Sequence, residues 1–156
     1  MMQKMGTAII SKAAGNYAVA VNGSYNGNTD YLNLALKGAP TAIYVGALNT
    51  NGSTTNKATL ASYSNYAGSD TTIQKQFLVV GVEGSKTGLY GTSFAAPIIS
   101  GYAAILGSKF TTATPTQITN QLLNTARTDT IANYSAAVYG RGEASLSRAL
   151  ALVSIK

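Results

Sequence analysis

The segment from Gly91 to Pro97 reads GTSFAAP and combines a serine with the features of a helix start. Pro97 is tolerated only in the first turn of a helix, so the sequence predicts a helix that begins near Ser93. A serine there lies among unpaired backbone N–H groups at the positive end of the helix dipole. Those groups favour the negative charge that develops when a serine oxygen attacks a carbonyl. An ordinary N-cap serine has the same position, so catalysis and capping both stay open on this segment alone.

The GTSFAAP segment resembles the nucleophile signature of the subtilisin-like serine proteases, the subtilases. Five other segments resemble further blocks of that family and follow its order along the chain: Ala13-Ala14-Gly15-Asn16, Val45-Gly46-Ala47, Ser62–Tyr66, Thr114–Ala126 and Tyr139–Gly142. One short motif can match by chance, whereas six in order cover nearly the whole chain, from Ala8 to about Leu150. The sequence therefore resembles the C-terminal half of a subtilase catalytic domain, with residues 1–156 as one portion of a single domain.

This resemblance implies a catalytic crevice with Ser93 as the nucleophile that forms an acyl-enzyme. Asn16 would be the side-chain donor of the oxyanion hole and would act together with the backbone N–H of Ser93. An asparagine that follows a glycine at a strand end is also a common turn residue, and this interpretation of Asn16 remains the alternative. The other residues that the resemblance assigns are Ala13, Ala14 and Gly15 beside the substrate, and Gly91, Thr92 and Pro97 in support of the nucleophile.

The sequence contains no histidine, so the base that activates the serine in this family is missing. In subtilases the triad order is Asp, His, Ser, and the resemblance places the first two in the N-terminal half of the domain. A Ser–Lys dyad with Lys12 or Lys86 is the alternative, because a desolvated lysine can act as a base. The chain alone is expected to be inactive and to be a truncated product, a processed fragment or one piece of a split protein.

Three near-continuous apolar runs predict the strands that must hold this site, near residues 8–13, 42–47 and 77–82. A helix near 93–109, buried on nearly all sides, would carry the serine at its start. Thr114, Pro115 and Gln117 predict the capping box of a second helix, and a last helix is expected from about 144 to 153. Asn-Gly pairs predict a loop or hairpin over 17–33.

Strands that alternate with helices predict an α/β fold. The resemblance implies that this fold is the three-layer subtilisin-like one in incomplete form. In the family, the 8–13 strand pairs with a central strand from the other half of the domain. Without that half, the sheet would have an unpaired apolar edge, which favours aggregation or docking with the missing half.

Composition excludes several classes of function. The net charge of +6 arises from scattered basic residues, which argues against a nucleic-acid partner, and no apolar stretch is long enough to span a membrane. The absence of cysteine excludes disulfides and thiolate metal sites. The family often binds calcium, but no acidic cluster identifies a calcium site or any other cofactor site here. Charged residues make up 10% of the chain, while Ser, Thr, Asn, Gly and Tyr are abundant, as in many secreted bacterial proteins. A secreted or bacterial cell-surface location is therefore expected.

Two functions follow from these observations. The first is a serine endopeptidase whose partners are a polypeptide substrate and the missing N-terminal half of the same domain. The second is a catalytically dead subtilase-like module that binds or adheres at a surface. The resemblance makes the first the leading hypothesis, while the lack of histidine and the many Tyr, Ser, Thr and Asn residues support the second as the alternative.

Overall fold

The computed structural model of the chain describes residues 8–152, which fold around a parallel sheet. In chain order the strands are β1 (Ile10–Ala13), β2 (Ser24–Tyr25), β3 (Asn28–Thr29), β4 (Ala42–Leu48) and β5 (Phe77–Gly81). The helices are α1 (Tyr31–Ala35), α2 (Thr71–Lys75), α3 (Gly84–Thr87), α4 (Ala96–Lys109), α5 (Pro115–Asn124), α6 (Ala136–Tyr139) and α7 (Leu146–Leu150). A short 3-10 turn, Thr92–Phe94, precedes α4.

The main sheet has the order β1-β4-β5, and both pairings are parallel. Its central strand β4 is buried at every residue, because helices cover both faces of the sheet. The three strands predicted from the apolar runs are confirmed within two residues at each end, and the α/β class is confirmed with them.

Successive residues of a strand point to opposite faces, so the sheet separates two apolar clusters. Ile43, Val45 and Leu78 point to the face covered by α4, α5 and α7. Tyr44 and Phe77 point to the other face, where Ile73 of α2 and Tyr139 of α6 pack. The result is the helix–sheet–helix layering that the subtilisin-like fold implies.

The segment predicted as a loop or hairpin forms a two-stranded antiparallel hairpin, in which Tyr25 of β2 pairs with Asn28 of β3. The five-residue helix α1, which the sequence patterns did not predict, follows it directly. Its N-cap is Asp30, whose carboxylate accepts the backbone N–H of Asn33 at 3.1 Å.

The helix expected near 93–109 is present, with Pro97 in its first turn as predicted, but α-helical geometry begins only at Ala96. The expectation that this helix is buried on nearly all sides is wrong for the described residues. One face packs on the sheet through Ile99, Ala103 and Leu106. The opposite face carries the exposed residues Ser100, Gly101, Ala104 and Ile105. Within residues 8–152 the main packing partners of α4 are β1, β4, α5 and α7, and the face with these four residues stays exposed.

The predicted capping box is confirmed at the start of α5. Thr114 Oγ1 accepts the Gln117 N–H at 3.2 Å, and Gln117 Oε1 accepts the Thr114 N–H at 2.9 Å. The helix ends at Asn124, two residues before the end of the segment Thr114–Ala126 that resembles the family. The last helix is shorter than expected: α7 covers Leu146–Leu150, and the predicted end at residue 153 lies outside the described residues.

One edge of the sheet has a single neighbour. Within the described part of the chain, Ile10–Ala13 pairs only with β4, and the opposite edge of β1 has no strand beside it. The exposed face of α4 adjoins this edge, since Ser11 Oγ donates to the Ala96 carbonyl at 3.0 Å and lies 2.6 Å from Ser100 Oγ. None of the helices in residues 8–152 combines the length and the hydropathy needed to cross a bilayer.

Candidate active site

Two glycine-containing turns bring separate segments together at the carboxyl end of β1. The chain leaves β1 through Ala14, Gly15 and Asn16, and the 3-10 turn that precedes α4 begins directly after Gly91. Gly15 has a φ of +120° and Gly91 a φ of +130°, a region that side chains rarely permit. Ligands bind at the carboxyl ends of strands in parallel α/β sheets, so this is the expected place for a site.

The Asn16 side chain is held by Thr92. Asn16 Oδ1 accepts the Thr92 backbone N–H at 2.7 Å and the Thr92 hydroxyl at 2.9 Å. The same hydroxyl accepts the Gly15 N–H at 3.1 Å, so its donor and acceptor capacities are both used. Since a backbone N–H can only donate, the amide atom that faces Thr92 must be the oxygen. Asn16 Nδ2 therefore points away from Thr92.

Asn16 Nδ2 and Ser93 Oγ border the same small space above Gly91. A β-carbon placed on Gly91 would lie 3.4 Å from Ser93 Oγ and 3.5 Å from Asn16 Nδ2. Ser93 and Asn16 are both solvent-exposed, so this space is open to a ligand. The structure thus brings together the two residues that the sequence assigned to nucleophile and oxyanion hole.

The backbone of the turn supplies a second donor. Within the 3-10 turn and the start of α4, the N–H groups of Phe94 and Ala95 donate to the Gly91 and Thr92 carbonyls. Among residues 8–152, the N–H of Ser93 makes no such bond and remains available at the turn. A backbone N–H and an amide Nδ2 beside one hydroxyl can stabilise an oxyanion formed on a carbonyl that the hydroxyl attacks.

Neither lysine of the alternative dyad bonds to the Ser93 hydroxyl. Lys12 Nζ donates to the Ala13 carbonyl at 2.7 Å and pairs with Asp30 at 2.9 Å. The side chain of Lys86 is 75% exposed and lies 3.5 Å from the Glu83 carboxylate. Both ammonium groups are therefore engaged with carboxylates, and the described residues provide no base at the serine.

The Lys12–Asp30 pair lies beside the candidate site, at the start of α1. Burial alone would raise the pKa of the Asp30 carboxyl. The hydrogen bond from Lys12 and those from backbone N–H groups outweigh burial and hold the pKa below its usual value. Asp30 is therefore ionised at neutral pH and neutralises Lys12.

A cavity of about 360 Å³ adjoins Gly15 on the side of the β2–β3 hairpin. Tyr17 and Tyr25 stack at its wall with ring centroids 4.7 Å apart. Asp30, paired with Lys12, also lines it, so the cavity carries no unpaired charge from this group. Of the three residues assigned to the substrate, only Gly15 lines the cavity, Ala13 is partly buried, and Ala14 is fully buried below it.

Sequence reasoning gave no role to two asparagines that hold the Ala14 carbonyl. Asn65 Nδ2 donates to this carbonyl at 3.0 Å, and Asn33 Nδ2 donates at 3.1 Å. Both asparagines are buried, which is unusual for this residue type, but burial is not visible in the sequence. Asn65 lies within the block Ser62–Tyr66 that resembles the family, and this was the only sequence signal for it.

The described residues do not form the acidic site that calcium requires. Residues 8–152 contain no group of three or more His, Cys, Asp or Glu side chains that could hold a metal ion. Calcium prefers six to eight oxygen ligands with several carboxylates among them.

Comparisons with known proteins show that the fold is shared with solved proteases. The chain matches the patellamide maturation protease PatA with 27% identity and a TM-score of 0.64, over 90% of this chain and 49% of that protein. The prenylagaramide maturation protease PagA matches with 23% identity and a TM-score of 0.59, over 91% of this chain and 49% of that protein. MycP1 from Mycobacterium smegmatis matches with 21% identity and a TM-score of 0.57, over 94% of this chain and 42% of that protein. The chain thus spans about half the length of these proteins or less.

A search of curated protein sequences gives no significant match. The sequence model of the subtilase family, in contrast, matches residues 1–142, which is most of the chain. Together with the parallel sheet and the shared fold of the solved proteases, this match shows that the chain belongs to the subtilase family of serine proteases.

Proposed function

We propose that the chain is the C-terminal portion of a subtilisin-type endopeptidase domain and supplies its nucleophile and oxyanion hole. The observation that carries this proposal is the placement of Ser93 Oγ and Asn16 Nδ2 around one point above Gly91. In the proposed reaction, Ser93 Oγ bonds to the carbonyl carbon of a peptide while a base takes the hydroxyl proton. Asn16 Nδ2 and the Ser93 N–H donate to the resulting oxyanion. Collapse breaks the C–N bond, the protonated base gives its proton to the leaving amine, and water then hydrolyses the acyl-enzyme.

The base in this proposal comes from a second polypeptide segment, because the 156-residue sequence contains no histidine. The segment is the N-terminal half of a subtilase domain, and it docks on the free side of β1. Three features support this placement: β1 has one neighbour within residues 8–152, the adjoining face of α4 is exposed, and the related proteases are about twice as long. A groove of about 290 Å³ between Ile9, Ser100, Ala104 and Ile118 continues the apolar surface of this edge.

The cavity beside Gly15 is where the side chain before the cleaved bond binds in this proposal. Its tyrosine pair and its neutralised Asp30 favour a large, uncharged side chain over a charged one. The substrate class is therefore a polypeptide that presents an apolar or aromatic residue at the cleavage point. An extracellular location is proposed with it, supported by the surface rich in neutral polar residues.

Labelling with a fluorophosphonate probe tests the proposal, because such probes react only with an activated serine. The chain would be expressed alone and with a histidine-bearing N-terminal subtilase half, taken from the gene region upstream of its first codon or from PatA as a chimaera. We expect no labelling of the chain alone, labelling in the complex, and none in the complex with Ser93→Ala. Efficient labelling of the chain alone, abolished by Ser93→Ala, would contradict the need for an added base.

The alternative function, a catalytically dead binding module, is favoured by one surface feature. Tyr25 of the hairpin and Tyr31 and Leu32 of α1 are exposed, with Tyr31 at 77%, and so is Tyr17, which stacks on Tyr25. Exposed aromatic side chains are enriched at binding surfaces. A complex that assembles but leaves Ser93 unlabelled would favour this module over the peptidase.

A further inference from the structure

Asn65 bonds to the chain on both sides of Asn16. Its Nδ2 donates to the Ala14 carbonyl at 3.0 Å, and its backbone N–H donates to the Gly15 carbonyl at 2.8 Å. Its Oδ1 accepts the N–H groups of Tyr17 at 3.0 Å and Val19 at 3.2 Å. A single side chain, 5% exposed, therefore connects the residues before Asn16 to those after it.

The Asn65 amide also fills the inner side of this chain reversal. A β-carbon on Gly15 would lie 2.4 Å from Asn65 Nδ2 and 3.0 Å from Asn65 Cγ, so the glycine and the asparagine are matched in shape. The reversal contains a second residue in the left-handed region, Ala18 with a φ of 53°. This conformation is unfavourable for alanine and persists only where surrounding contacts hold it.

The anchor of Asn65 is the buried sheet. Ser64 Oγ donates to the Asn65 carbonyl at 2.9 Å and accepts the Ala47 N–H of β4 at 3.0 Å. Because β4 is buried throughout, its hydrogen bond to Ser64 holds the Ser64–Asn65 segment in place. Asn65 in turn holds the loop that carries Asn16.

We infer that Asn65 is a positioning residue that sets the orientation of the Asn16 side-chain amide above Gly91. The catalytic importance of that orientation depends on the proposed function. The role requires a planar group with a hydrogen-bond acceptor on one side and a donor on the other. The asparagine side chain provides both at the length that these contacts need. A carboxylate at position 65 would keep the acceptor for Tyr17 and Val19 but would place an oxygen against the Ala14 carbonyl.

The first test follows the Asn16 side chain directly by NMR in the 156-residue chain, without any need for activity. The side-chain NH₂ signals of Asn16 are assigned with Asn16→Asp. We expect Asn65→Ala to shift or broaden these signals, while Gln121→Ala leaves them unchanged. Gln121 is the matched control because its buried amide also donates to a backbone carbonyl, that of Ala149, on a different helix.

Asn65→Asp gives a reversible version of the same test and keeps it usable if Asn65→Ala fails to fold. A protonated carboxyl resembles the amide, with an acceptor oxygen for Tyr17 and Val19 and an O–H that can donate to Ala14. We expect the Asn16 signals of Asn65→Asp to return toward the wild-type positions as the pH falls and to depart from them as it rises. Wild-type spectra over the same range serve as the reference.

The second test measures the labelling rate of Ser93 in the complex with the histidine-bearing half. A displacement of about 1 Å at a reacting group can lower the rate by about 10²-fold, so we expect a loss of that order for Asn65→Ala and little loss for Gln121→Ala. Unchanged Asn16 signals in both Asn65 variants would overturn the inference, whatever the labelling rates. If the Asn65 variants shift the Asn16 signals but the wild-type complex is never labelled, the positioning role is supported and the proposed function is refuted.

Discussion

Thr92 binds the Asn16 side chain with two donors, its backbone N–H at 2.7 Å and its hydroxyl at 2.9 Å. Thr92 directly precedes Ser93, so the segment that carries the proposed nucleophile also binds the amide of Asn16. One buried residue, Thr92, therefore connects the two exposed residues of the candidate site.

Removal of the Thr92 hydroxyl should weaken the site without dismantling it. Thr92→Val keeps the backbone donor to Asn16 and loses the hydroxyl donor, and a neutral hydrogen bond contributes about 0.5–1.5 kcal/mol. We expect the labelling rate of Ser93 in the complex to fall by about 2- to 13-fold, the factor that corresponds to this energy. Thr92→Ser, which keeps the hydroxyl, is the control, and equal losses in both variants would argue against a role for the hydroxyl.

Removal of the Asn16 amide should have a larger effect, because in the proposed reaction Nδ2 donates directly to the oxyanion. Loss of the corresponding asparagine in subtilisin lowers kcat by about 10²–10³-fold, and we expect a loss of that order for Asn16→Ala in the complex. The Michaelis constant should change little, since the oxyanion exists only in the transition state. Steady-state kinetics on a peptide substrate measure both parameters, and a rise in KM with unchanged kcat would contradict this role.

A side chain at Gly15 should destabilise the fold. Gly15→Ala places a β-carbon 2.4 Å from Asn65 Nδ2 at a φ of +120°. Such backbone strain costs about 1–3 kcal/mol before the steric clash is added. Gly27→Ala is the matched control, because Gly27 also has a positive φ, +78°, but no atom within 4 Å of the added carbon. Urea denaturation should show a clearly larger loss of unfolding free energy for Gly15→Ala than for Gly27→Ala. Equal losses would mean that the Asn65 side chain can move aside without a measurable loss of stability.

The Lys12–Asp30 pair should make stability depend on acid pH. Because the pKa of Asp30 is lowered in the folded chain, its contribution is present above the unfolded pKa, about 3.9, and is lost as the pH falls through the folded value. Asp30→Asn should therefore lower the melting temperature at pH 7 and flatten its fall below pH 4. Asp129→Asn is the control, since its pairing with Arg127 is exposed and should contribute less. Identical pH profiles for wild type and Asp30→Asn would contradict this assignment.

Local patterns in the sequence predicted much of the fold. Near-continuous apolar runs predicted β1, β4 and β5, and the Thr114–Gln117 capping box predicted the start of α5, because these signals depend on neighbours along the chain. The exposed face of α4 could not be predicted, since its apolar composition is the same whether or not a partner covers it. Local chemistry at a helix start singled out Ser93, whereas the role of Asn16 came from the family resemblance.

The contacts that shape the site were beyond sequence reasoning because they join distant segments. Asn65 contacts Tyr17, 48 residues away, and Thr92 contacts Asn16, 76 residues away. Ala14, which the resemblance assigns beside the substrate, is fully buried, and its carbonyl is held by Asn33 and Asn65. Such partners follow from the register of the parallel sheet, which the apolar patterns locate only within a few residues.

A crystal structure of the complex with a phosphonate bound to Ser93 would test the central claim most directly. The phosphoryl oxygen stands in for the oxyanion of the tetrahedral intermediate. It should lie about 2.7–3.1 Å from both Asn16 Nδ2 and the Ser93 N–H. A phosphonate attached to another residue, or a phosphoryl oxygen directed away from Asn16, would contradict the account.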